Sequence, residues 1–485
     1  MAQDLEKLQA ELNEAVAFHQ MGQVDEAEKR YLRLLQKAPD IPVIHNNLGL
    51  VLLAQKRVDE AIERLSQALK LDPQYPDACS NLGNAYRHAG RFEESIASFK
   101  QALEINPGFV QALGNLGNTY LDVGRLEDSE KAYRDGLKLI PEQPDLYYNL
   151  GRALYEQARW DDAEVAYRKT LSLNHNYPLA HWNLSHVMLL HGRFQEGWAE
   201  YEWRWQCPGF TTRVPNFDQP KWDGSDISGK TILVYAEQGF GDTMQFARYL
   251  PVLKSAGARV VFLCQAELGR LMETIDGLDA VVTDVSRLPA FDVHAPLMSL
   301  PLLTGMKAES DVPANSPYLR SPAEGAPSIA ADADLSIGLV WAGRASHMGE
   351  AQRSLELADL EPLTAVPGCR FYALQEGDQG EELARVGMEG SVIDLSANLG
   401  DFGDTARIID SLDLVIGVDT AVVHLAGALH KPVWTLLPHI CDWRWMLERE
   451  DTPWYPTMRL FRQTVRGDWA TVVEQVSREL KKRAG

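Results

Sequence analysis

Two segments in the second half of the chain place polar residues directly after apolar runs. In the first, YAEQGFGDTMQFARYLPVL, Gly239 and Gly241 precede Asp242. In the second, LVIGVDTAVVHLAGALHKPVWTLLP, Asp419 and Thr420 follow the apolar run. A carboxylate at such a point can take a proton from a hydroxyl, and a free helix N-terminus can hold an anionic group. Together the segments predict acid–base chemistry on an anionic substrate.

In the first segment, we expect a strand that runs into a glycine loop and then a helix. Gly239 and Gly241 would let backbone amides approach a ligand closely. The loop lacks the third glycine and the ribose-binding acid of a dinucleotide fingerprint. Asp242 has two interpretations, a general base or simply a helix N-cap.

In the second segment, Thr420 and Ala421 would form the first turn of a helix that carries His424 one turn further on. Free N–H groups there can bind a diphosphate, and the Thr420 hydroxyl can add a hydrogen bond. His424 could donate to a phosphate or cover the nucleotide. The alternative is that Asp419 is an N-cap and His424 a half-buried residue without a ligand.

A third segment, VWAGRASHMGEAQRSLELADLEPL, places Arg344 and Arg353 in a polar loop after a strand. A guanidinium facing the second segment would offset the charge of a diphosphate. We choose Arg353, and the alternative is a solvated loop charge. Fixed amide dipoles and an arginine would do the work of a divalent cation, so neither a metal nor a cofactor is expected.

Elements that can position these residues follow from the apolar pattern. From Thr231 onward, short apolar runs alternate with helical stretches, which indicates buried parallel strands. Two series, separated by a segment rich in Pro, Ala and Asp, imply two Rossmann-like domains across a cleft. The predicted strand segments are TILVYAE, RVVFLC, AVVTD and FDVHAPL, then LSIGLVWAG, CRFYALQ, SVIDLS, LDLVIGVDT and PVWTLLP, with WATVVEQVSRELKKR as a closing helix.

The first 200 or so residues repeat with a fixed period of 34 residues. Small residues stand in the middle of each repeat, Gly ends the first helix and Pro stops the second, as two packed helices per repeat require. An asparagine recurs at the same register six times, at Asn13, Asn47, Asn81, Asn115, Asn149 and Asn183.

Asparagine is a mediocre helix former, so its recurrence inside a helix needs a reason. An amide carries both a donor and an acceptor, which suits an extended peptide backbone read without regard to its side chains. The alternative is that the amides tie neighbouring helices together, or are a relic of duplication.

Composition bounds the remaining possibilities. A formal net charge of −21 and a pI of about 5.0 disfavour nucleic acid as the main partner. No stretch has the length and apolar character of a membrane span, and the start lacks a secretory signal, so we expect a cytoplasmic protein. The 5 cysteines form no CxxC pair, so neither a disulfide framework nor a zinc site is predicted.

The 34-residue pattern resembles the tetratricopeptide repeat, and the second half resembles the GT-B glycosyltransferases. GFGDTMQFARYLPVL and DTAVVHLAGAL look like the acceptor-side and donor segments of heptosyltransferases. The combination is similar to O-GlcNAc transferase and to bacterial repeat-linked glycosyltransferases, which DWRWMLEREDTPWYPTMRLFRQ resembles specifically. In the repeat family the first helices line a concave groove, and the asparagine ladder resembles the one with which O-GlcNAc transferase grips its acceptor polypeptide.

The resemblance implies roles residue by residue. Asp242 matches the catalytic base, Arg353 the basic phosphate contact, and Gln375 lies in the nucleoside-binding loop. The donor segment comprises Asp419, Thr420, Ala421 and His424. Two departures stand out: Ala421 replaces a glycine of the heptosyltransferases, and Glu376 stands where related chains often have lysine.

We therefore expect an α + α/β protein: a tetratricopeptide-repeat superhelix at 1–208, a linker at 209–228, and Rossmann-like domains at 229–322 (acceptor side) and 323–485 (nucleotide-sugar side) in GT-B arrangement. The predicted function is inverting transfer of a sugar from a nucleotide-sugar donor to a polypeptide in the repeat groove. The alternatives are a non-catalytic scaffold that senses a nucleotide sugar, and a nucleotide-sugar epimerase. The repeats could also hold a second copy of the chain.

Overall fold

The computed structural model describes residues 2–210, 212, 216–325, 335–343, 353–375, 377 and 380–484. It divides the chain into two compact units, Met1–Ala180 and His181–Gly485. The division falls inside the sixth predicted repeat. None of the helices in the described residues combines the length and hydropathy needed to cross a membrane.

The predicted helical repeats are confirmed. In the described residues, helix pairs follow one another from the start of the chain, and four of the second helices end two residues before a predicted proline, at Pro39, Pro73, Pro107 and Pro141. The helices are α1 (Ala2–Gln20), α2 (Val24–Lys37), α3 (Pro42–Ala54), α4 (Val58–Leu71), α5 (Pro76–His88), α6 (Phe92–Ile105), α7 (Val110–Asp122), α8 (Leu126–Leu139), α9 (Pro144–Glu156), α10 (Trp160–Leu173), α11 (Pro178–Leu190) and α12 (Phe194–Tyr201).

Close packing within each repeat depends on small residues. A Cβ added at Gly117 would lie 2.5 Å from the ring of Tyr133, so the first helix must carry glycine where the second carries a large ring. Gly124, in the turn between these helices, has φ of +74°, a conformation that favours glycine. The same positions recur every 34 residues, which explains the period.

The first sheet of the second unit is parallel throughout, in the order β3-β2-β1-β4. Its continuous apolar strands are buried, as expected when helices cover both faces. The strands are β1 (Thr231–Tyr235), β2 (Arg259–Leu263), β3 (Ala280–Val282) and β4 (Val293–Pro296).

The second sheet is also parallel and has the order β10-β9-β8-β5-β6-β7. Numbered from its first strand, this is the 3-2-1-4-5-6 order of a Rossmann sheet. The last strand, at the sheet edge, was not predicted from the sequence. The strands are β5 (Leu335–Val340), β6 (Cys369–Ala373), β7 (Val392–Asp394), β8 (Leu414–Val418), β9 (Val433–Leu437) and β10 (Met458–Arg462).

Short helices connect the strands, and a long C-terminal helix closes the second sheet through an apolar face that contains Val472, Val476 and Leu480. These helices are α13 (Phe240–Phe246), α14 (Leu250–Ser255), α15 (Gly269–Met272), α16 (Leu300–Leu303), α17 (Glu361–Thr364), α18 (Gly380–Arg385), α19 (Phe402–Asp410), α20 (Ala421–Ala428) and α21 (Trp469–Ala484).

The last repeat helix, α12, is built into the second unit. Trp198 is fully buried, and its ring meets Phe246 of α13 edge-on at 5.6 Å and Trp443 at 5.2 Å. After α12, the guanidinium of Arg204 forms a fully buried ion pair with Glu237, which follows β1. A buried guanidinium is tolerable only when paired in this way, so the end of the repeats and the end of β1 are fixed together.

Candidate active site

The glycine loop after β1 has the predicted form. Gly239 is the N-cap of α13, and its N–H donates to Oδ2 of Asp242 at 3.0 Å. The N-cap interpretation of Asp242 is therefore wrong, because Gly239 is the N-cap and Asp242, the third residue of α13, accepts its N–H as in a capping box. Gln238, one residue before the loop glycine, has φ of +61°, which is unusual for a residue with a side chain and marks a constrained loop.

The second oxygen of Asp242 is paired with an arginine that the sequence did not single out. Arg444 donates from Nη2 to Oδ1 of Asp242 at 2.5 Å and from Nε to Oε1 of Gln245 at 2.8 Å, and its Nη1 forms an ion pair with Asp442, 3.0 Å from Oδ2. The arginine is only 8% exposed. In the sequence, Arg444 is recognisable only as a basic residue in the aromatic run DWRWM. No feature of that run indicates that its partner is Asp242, which is distant in the sequence.

The donor segment also folds as predicted. β8 ends at Val418, Thr420 is the N-cap, and α20 begins at Ala421. The hydroxyl oxygen of Thr420 is buried and has no hydrogen-bond partner in the described parts of the chain. The first N–H groups of a helix have no acceptor within it, so this end of α20 offers an unpaired hydroxyl beside unpaired amides.

Asp419 and His424 are held by aromatic residues of the segment between β9 and β10, which also contains Arg444. Oδ2 of Asp419 accepts from Nε1 of Trp445 at 2.8 Å, and its Oδ1 lies 3.4 Å from Nε2 of His424. The hydroxyl of Tyr455 lies 2.9 Å from Nδ1 of His424. Both ring nitrogens of His424 thus lie against protein partners. The contacts of Asp419 with His424 and Trp445 hold its carboxylate beside the first turn of α20.

The two predicted segments meet directly. A Cβ added at Gly241 would lie 2.8 Å from Cδ2 of His424, which is closer than real Cβ atoms come. The glycine is required here because the backbone of the loop lies against the imidazole of the donor helix. The residues that precede α13 and those that begin α20 therefore form one site between the two sheets.

Burial and charge set the ionisation of this site. Burial acts to raise the pKa of Asp419, but the hydrogen bond from His424 and the charge of Arg444 outweigh it, so the pKa is lowered. Burial lowers the pKa of His424, which keeps its imidazole neutral at pH 7. Burial and the charges of Asp419 and Asp242 raise the pKa of Asp442 to about 6, even though Arg444 opposes the shift.

The described contacts do not bring every residue that was predicted to bind the nucleotide-sugar donor to the start of α20. Gln375 follows β6, and its Oε1 accepts from the N–H of Ala342 at 3.1 Å, so it joins the ends of two strands. Arg353 is half-buried and has a polar or electrostatic partner, and its contact with a phosphate stays a prediction. Arg344 and Glu376 lie outside the described residues.

The repeated asparagines differ in their partners. Asn81 donates to the neighbouring repeat at Asn46, with Nδ2 2.8 Å from Oδ1, as the helix-tying interpretation expects. The amides of Asn115 and Asn149 are half-buried and have no hydrogen-bond partner in the described structure. The other members are Asn13, exposed and bonded to Gln9, Asn47, bonded to Asn46, and Asn183, half-buried and partnered in the second unit.

Among the described residues, no three or more His, Cys, Asp or Glu side chains are grouped so that they could hold a metal ion. The fold and the site together define a class: helical repeats joined to two Rossmann-like sheets, with the start of α20 and its unpaired Thr420 hydroxyl between them.

Comparison with known families agrees with this class. Tetratricopeptide-repeat profiles match residues 12–76, 47–110, 87–139, 115–181 and 148–201. The profile of glycosyltransferase family 9 (heptosyltransferase) matches residues 376–439, a segment that contains Asp419 to His424 but not Asp242. The chain thus combines tetratricopeptide repeats with a segment that is similar to glycosyltransferase family 9.

Among individual proteins, the chain is 30% identical over 325 residues to Protein FlbA of Caulobacter vibrioides (strain ATCC 19089 / CIP 103742 / CB 15), which is 60% of this chain and 53% of FlbA. The match spans about half of that relative.

Solved structures resemble the chain only weakly. PilF of Pseudomonas aeruginosa has a TM-score of 0.38 and 18% identity, covering 42% of this chain and 92% of PilF. TTC0263, a tetratricopeptide-repeat protein of Thermus thermophilus, has a TM-score of 0.33 and 22% identity, covering 38% of this chain and 99% of TTC0263. Likenesses of this size say nothing about what the chain binds.

The raised pKa of Asp442 predicts a pH dependence of stability. The folded-state pKa is about 6, above the ordinary value of about 3.9, so the native state keeps this proton longer than the unfolded state. The contribution is present below about pH 4 and is lost as the pH rises through 6. The variant Asp442→Asn cannot titrate there, so the difference in free energy of unfolding, variant minus native, should be larger at pH 8 than at pH 4.5, which makes the variant relatively more stable at pH 8.

Urea denaturation of both proteins at the two pH values measures this difference. Asp276→Asn is the matched control, because the pKa of Asp276 is lowered by the exposed Arg320 and any pH dependence must have the opposite sign. An Asp442→Asn difference that is independent of pH would show that this carboxyl is not held in the way described.

Proposed function

We propose that the chain transfers a sugar, with inversion, from a nucleotide-sugar donor to a polypeptide acceptor. The contact between Gly241 and His424 carries this proposal, because it unites a candidate base with a candidate diphosphate site. The family 9 segment covers the diphosphate side and supports glycosyl transfer in general.

The donor diphosphate would bind at the start of α20. There the unpaired hydroxyl of Thr420 and the amides of the first turn, beginning at Ala421, would receive its oxygens. Arg353 would supply the positive charge, and Gln375 would lie on the nucleoside side. Asp419, ionised and fixed by Trp445, is suited to accept hydrogen bonds from sugar hydroxyls rather than to face a phosphate.

Asp242 would act on the acceptor. Each of its oxygens accepts one protein hydrogen bond, from Gly239 or from Arg444, and an ionised carboxylate has further lone pairs for a proton. In the step, the acceptor oxygen bonds to the anomeric carbon while the bond from that carbon to the diphosphate oxygen breaks. The acceptor proton passes to Asp242, and the electron pair leaves with the diphosphate.

The polypeptide would lie along the repeats. Asn115 and Asn149 support this, because half-buried amides without protein partners in the described structure can bond an extended backbone. Other asparagines of the same register are engaged by neighbours, so we propose that only part of the ladder reads the acceptor.

A panel of UDP-, GDP-, ADP-, dTDP- and CMP-linked sugars tests the donor chemistry through slow hydrolysis in the absence of acceptor. We expect one or more diphosphate-linked sugars to be consumed. Asp242→Asn should lower the turnover about 10²-fold or more, because the amide cannot take a proton. Affinity for the free nucleoside diphosphate, measured by calorimetry, should change little.

Asp276→Asn, a substitution of an exposed carboxylate in the same sheet domain, controls for nonspecific effects. If Asp242→Asn kept more than half of the native rate, Asp242 would be only a capping-box residue and the base would lie elsewhere. If no sugar of the panel were bound or consumed, the transferase proposal itself would fail, and a scaffold function would take its place.

The unpaired amides of Asn115 and Asn149 predict that their loss weakens binding of the polypeptide acceptor without affecting hydrolysis of the donor. Replacing Asn115 and Asn149 together by Ala should raise the KM for dephosphorylated β-casein, an unfolded hydroxyl-rich polypeptide, by about 10-fold. The reason is that each lost hydrogen bond contributes about 0.5–1.5 kcal/mol. Donor hydrolysis should be unchanged, and the helices should survive because Ala is the better helix former.

Asn81→Ala is the matched comparison, since its amide is bonded to Asn46. We expect a lower melting temperature for Asn81→Ala and an unchanged one for the double variant. The opposite pattern, a destabilised double variant with a native KM, would show that these asparagines hold helices together.

A further inference from the structure

His186, on the last repeat helix pair, lies inside the second unit with the two sheets. It belongs to α11, and its ring meets Trp182 edge-on at 5.5 Å and Tyr201 at 6.0 Å. The sequence presented it as one more residue of a repeat helix. Its surroundings connect it to the candidate active site instead.

Two contact paths lead from His186 to Asp242. Through the first, the hydroxyl of Tyr201 accepts from Nε2 of Gln238 at 3.1 Å, and Gln238 is the constrained residue that opens the glycine loop. Through the second, the ring of Tyr201 packs on Trp443 at 6.4 Å, and Trp443 lies 5.0 Å beneath the guanidinium of Arg444. His186 is therefore close to the loop of Asp242 and to the arginine that pairs with it.

The imidazole of His186 has no hydrogen-bond partner among the described residues, although it is half-buried. Two other histidines of this unit do have partners: His181 bonds Glu200, and His424 bonds Tyr455. Burial and the positive charge of Arg444 lower the pKa of His186 to about 4, so the ring is neutral at pH 7. A neutral imidazole offers one N–H donor and one lone pair, and no described residue engages either of them, so both are available to a ligand.

Two more unpaired donors belong to the aromatic residues around it, Trp182 in direct contact and Trp205 through Phe210. The indole nitrogens of Trp182 and Trp205 are buried without partners in the described structure. Both rings meet Phe210, at 6.1 and 5.2 Å. N–H donors set among aromatic rings suit the carbonyl groups and side chains of a peptide, whose backbone supplies acceptors at regular spacing.

We propose that His186 and the two indoles form the acceptor subsite, in which the N–H of neutral His186 donates a hydrogen bond to the oxygen of the acceptor hydroxyl and leaves its proton directed at Asp242. This deepens the proposed function and rests on it. The last tetratricopeptide repeat would then be part of the catalytic site. Without a polypeptide, a water molecule would occupy the place of the hydroxyl.

Substitution of His186 by Phe and by Gln separates a hydrogen-bonding role from ring packing. Phe keeps a ring and removes the nitrogens, whereas Gln keeps an amide N–H that can donate a hydrogen bond to the acceptor oxygen. Using the sugar nucleotide that the native protein hydrolyses fastest, we expect His186→Phe to lower kcat of hydrolysis about 10-fold with KM for the donor unchanged. His186→Gln should recover a good part of that loss.

His191→Phe, at the exposed turn that follows the same helix, is the control and should retain the native rate. A native kcat for His186→Phe would overturn the subsite while leaving the transferase proposal intact. A loss in both Phe and Gln variants with a lowered melting temperature would also overturn it, since the ring would then be structural. If the native protein hydrolysed no sugar of the panel, the proposed function would fail first and this inference with it.

Discussion

The ion pair between Asp242 and Arg444 is the contact on which the candidate site depends. The two residues are 202 positions apart, one after the first strand of the first sheet and the other between the last two strands of the second. Because Arg444 is buried and also binds Asp442 and Gln245, its position is determined by several groups at once. A buried guanidinium without such anions would be strongly destabilising, so the pairing fixes both sheets around the site.

The end of the repeats is coupled to the same place. Glu237 receives two hydrogen bonds from Arg204 and a third from the N–H of Met298 at 2.9 Å, and it lies two residues before Gly239. The ring of Trp198 packs against the ring of Trp443, and the guanidinium of Arg444 lies over the ring of Trp443. The conformation of the glycine loop thus depends on residues at the end of the repeats, such as Arg204 and Trp198. This dependence is the physical basis for placing His186, from the same end of the repeats, in the proposed acceptor subsite.

Periodicity predicted the fold well because its causes are local. The 34-residue spacing of Gly and Pro follows from turns and helix ends, and continuous apolar runs follow from strands covered on both faces. β10 was not predicted, because its segment MRLFR lies at a sheet edge and has two arginines among its apolar residues. Asp242, Thr420 and His424 were found because loop glycines and a helix start mark them. Arg444 and His186 were missed, since their roles depend on partners distant in sequence that no local pattern specifies.

A double-mutant cycle of Asp242→Asn and Arg444→Gln, read as free energy of unfolding in urea, tests most directly whether the two sheet domains are joined through this ion pair. For a buried pair in contact, we predict a coupling energy of about 1–3 kcal/mol. A parallel cycle of Asp242→Asn with Arg320→Gln, an exposed arginine paired with Asp276, should give none. Additivity of Asp242 and Arg444 within about 0.5 kcal/mol would contradict the structure of the site described above.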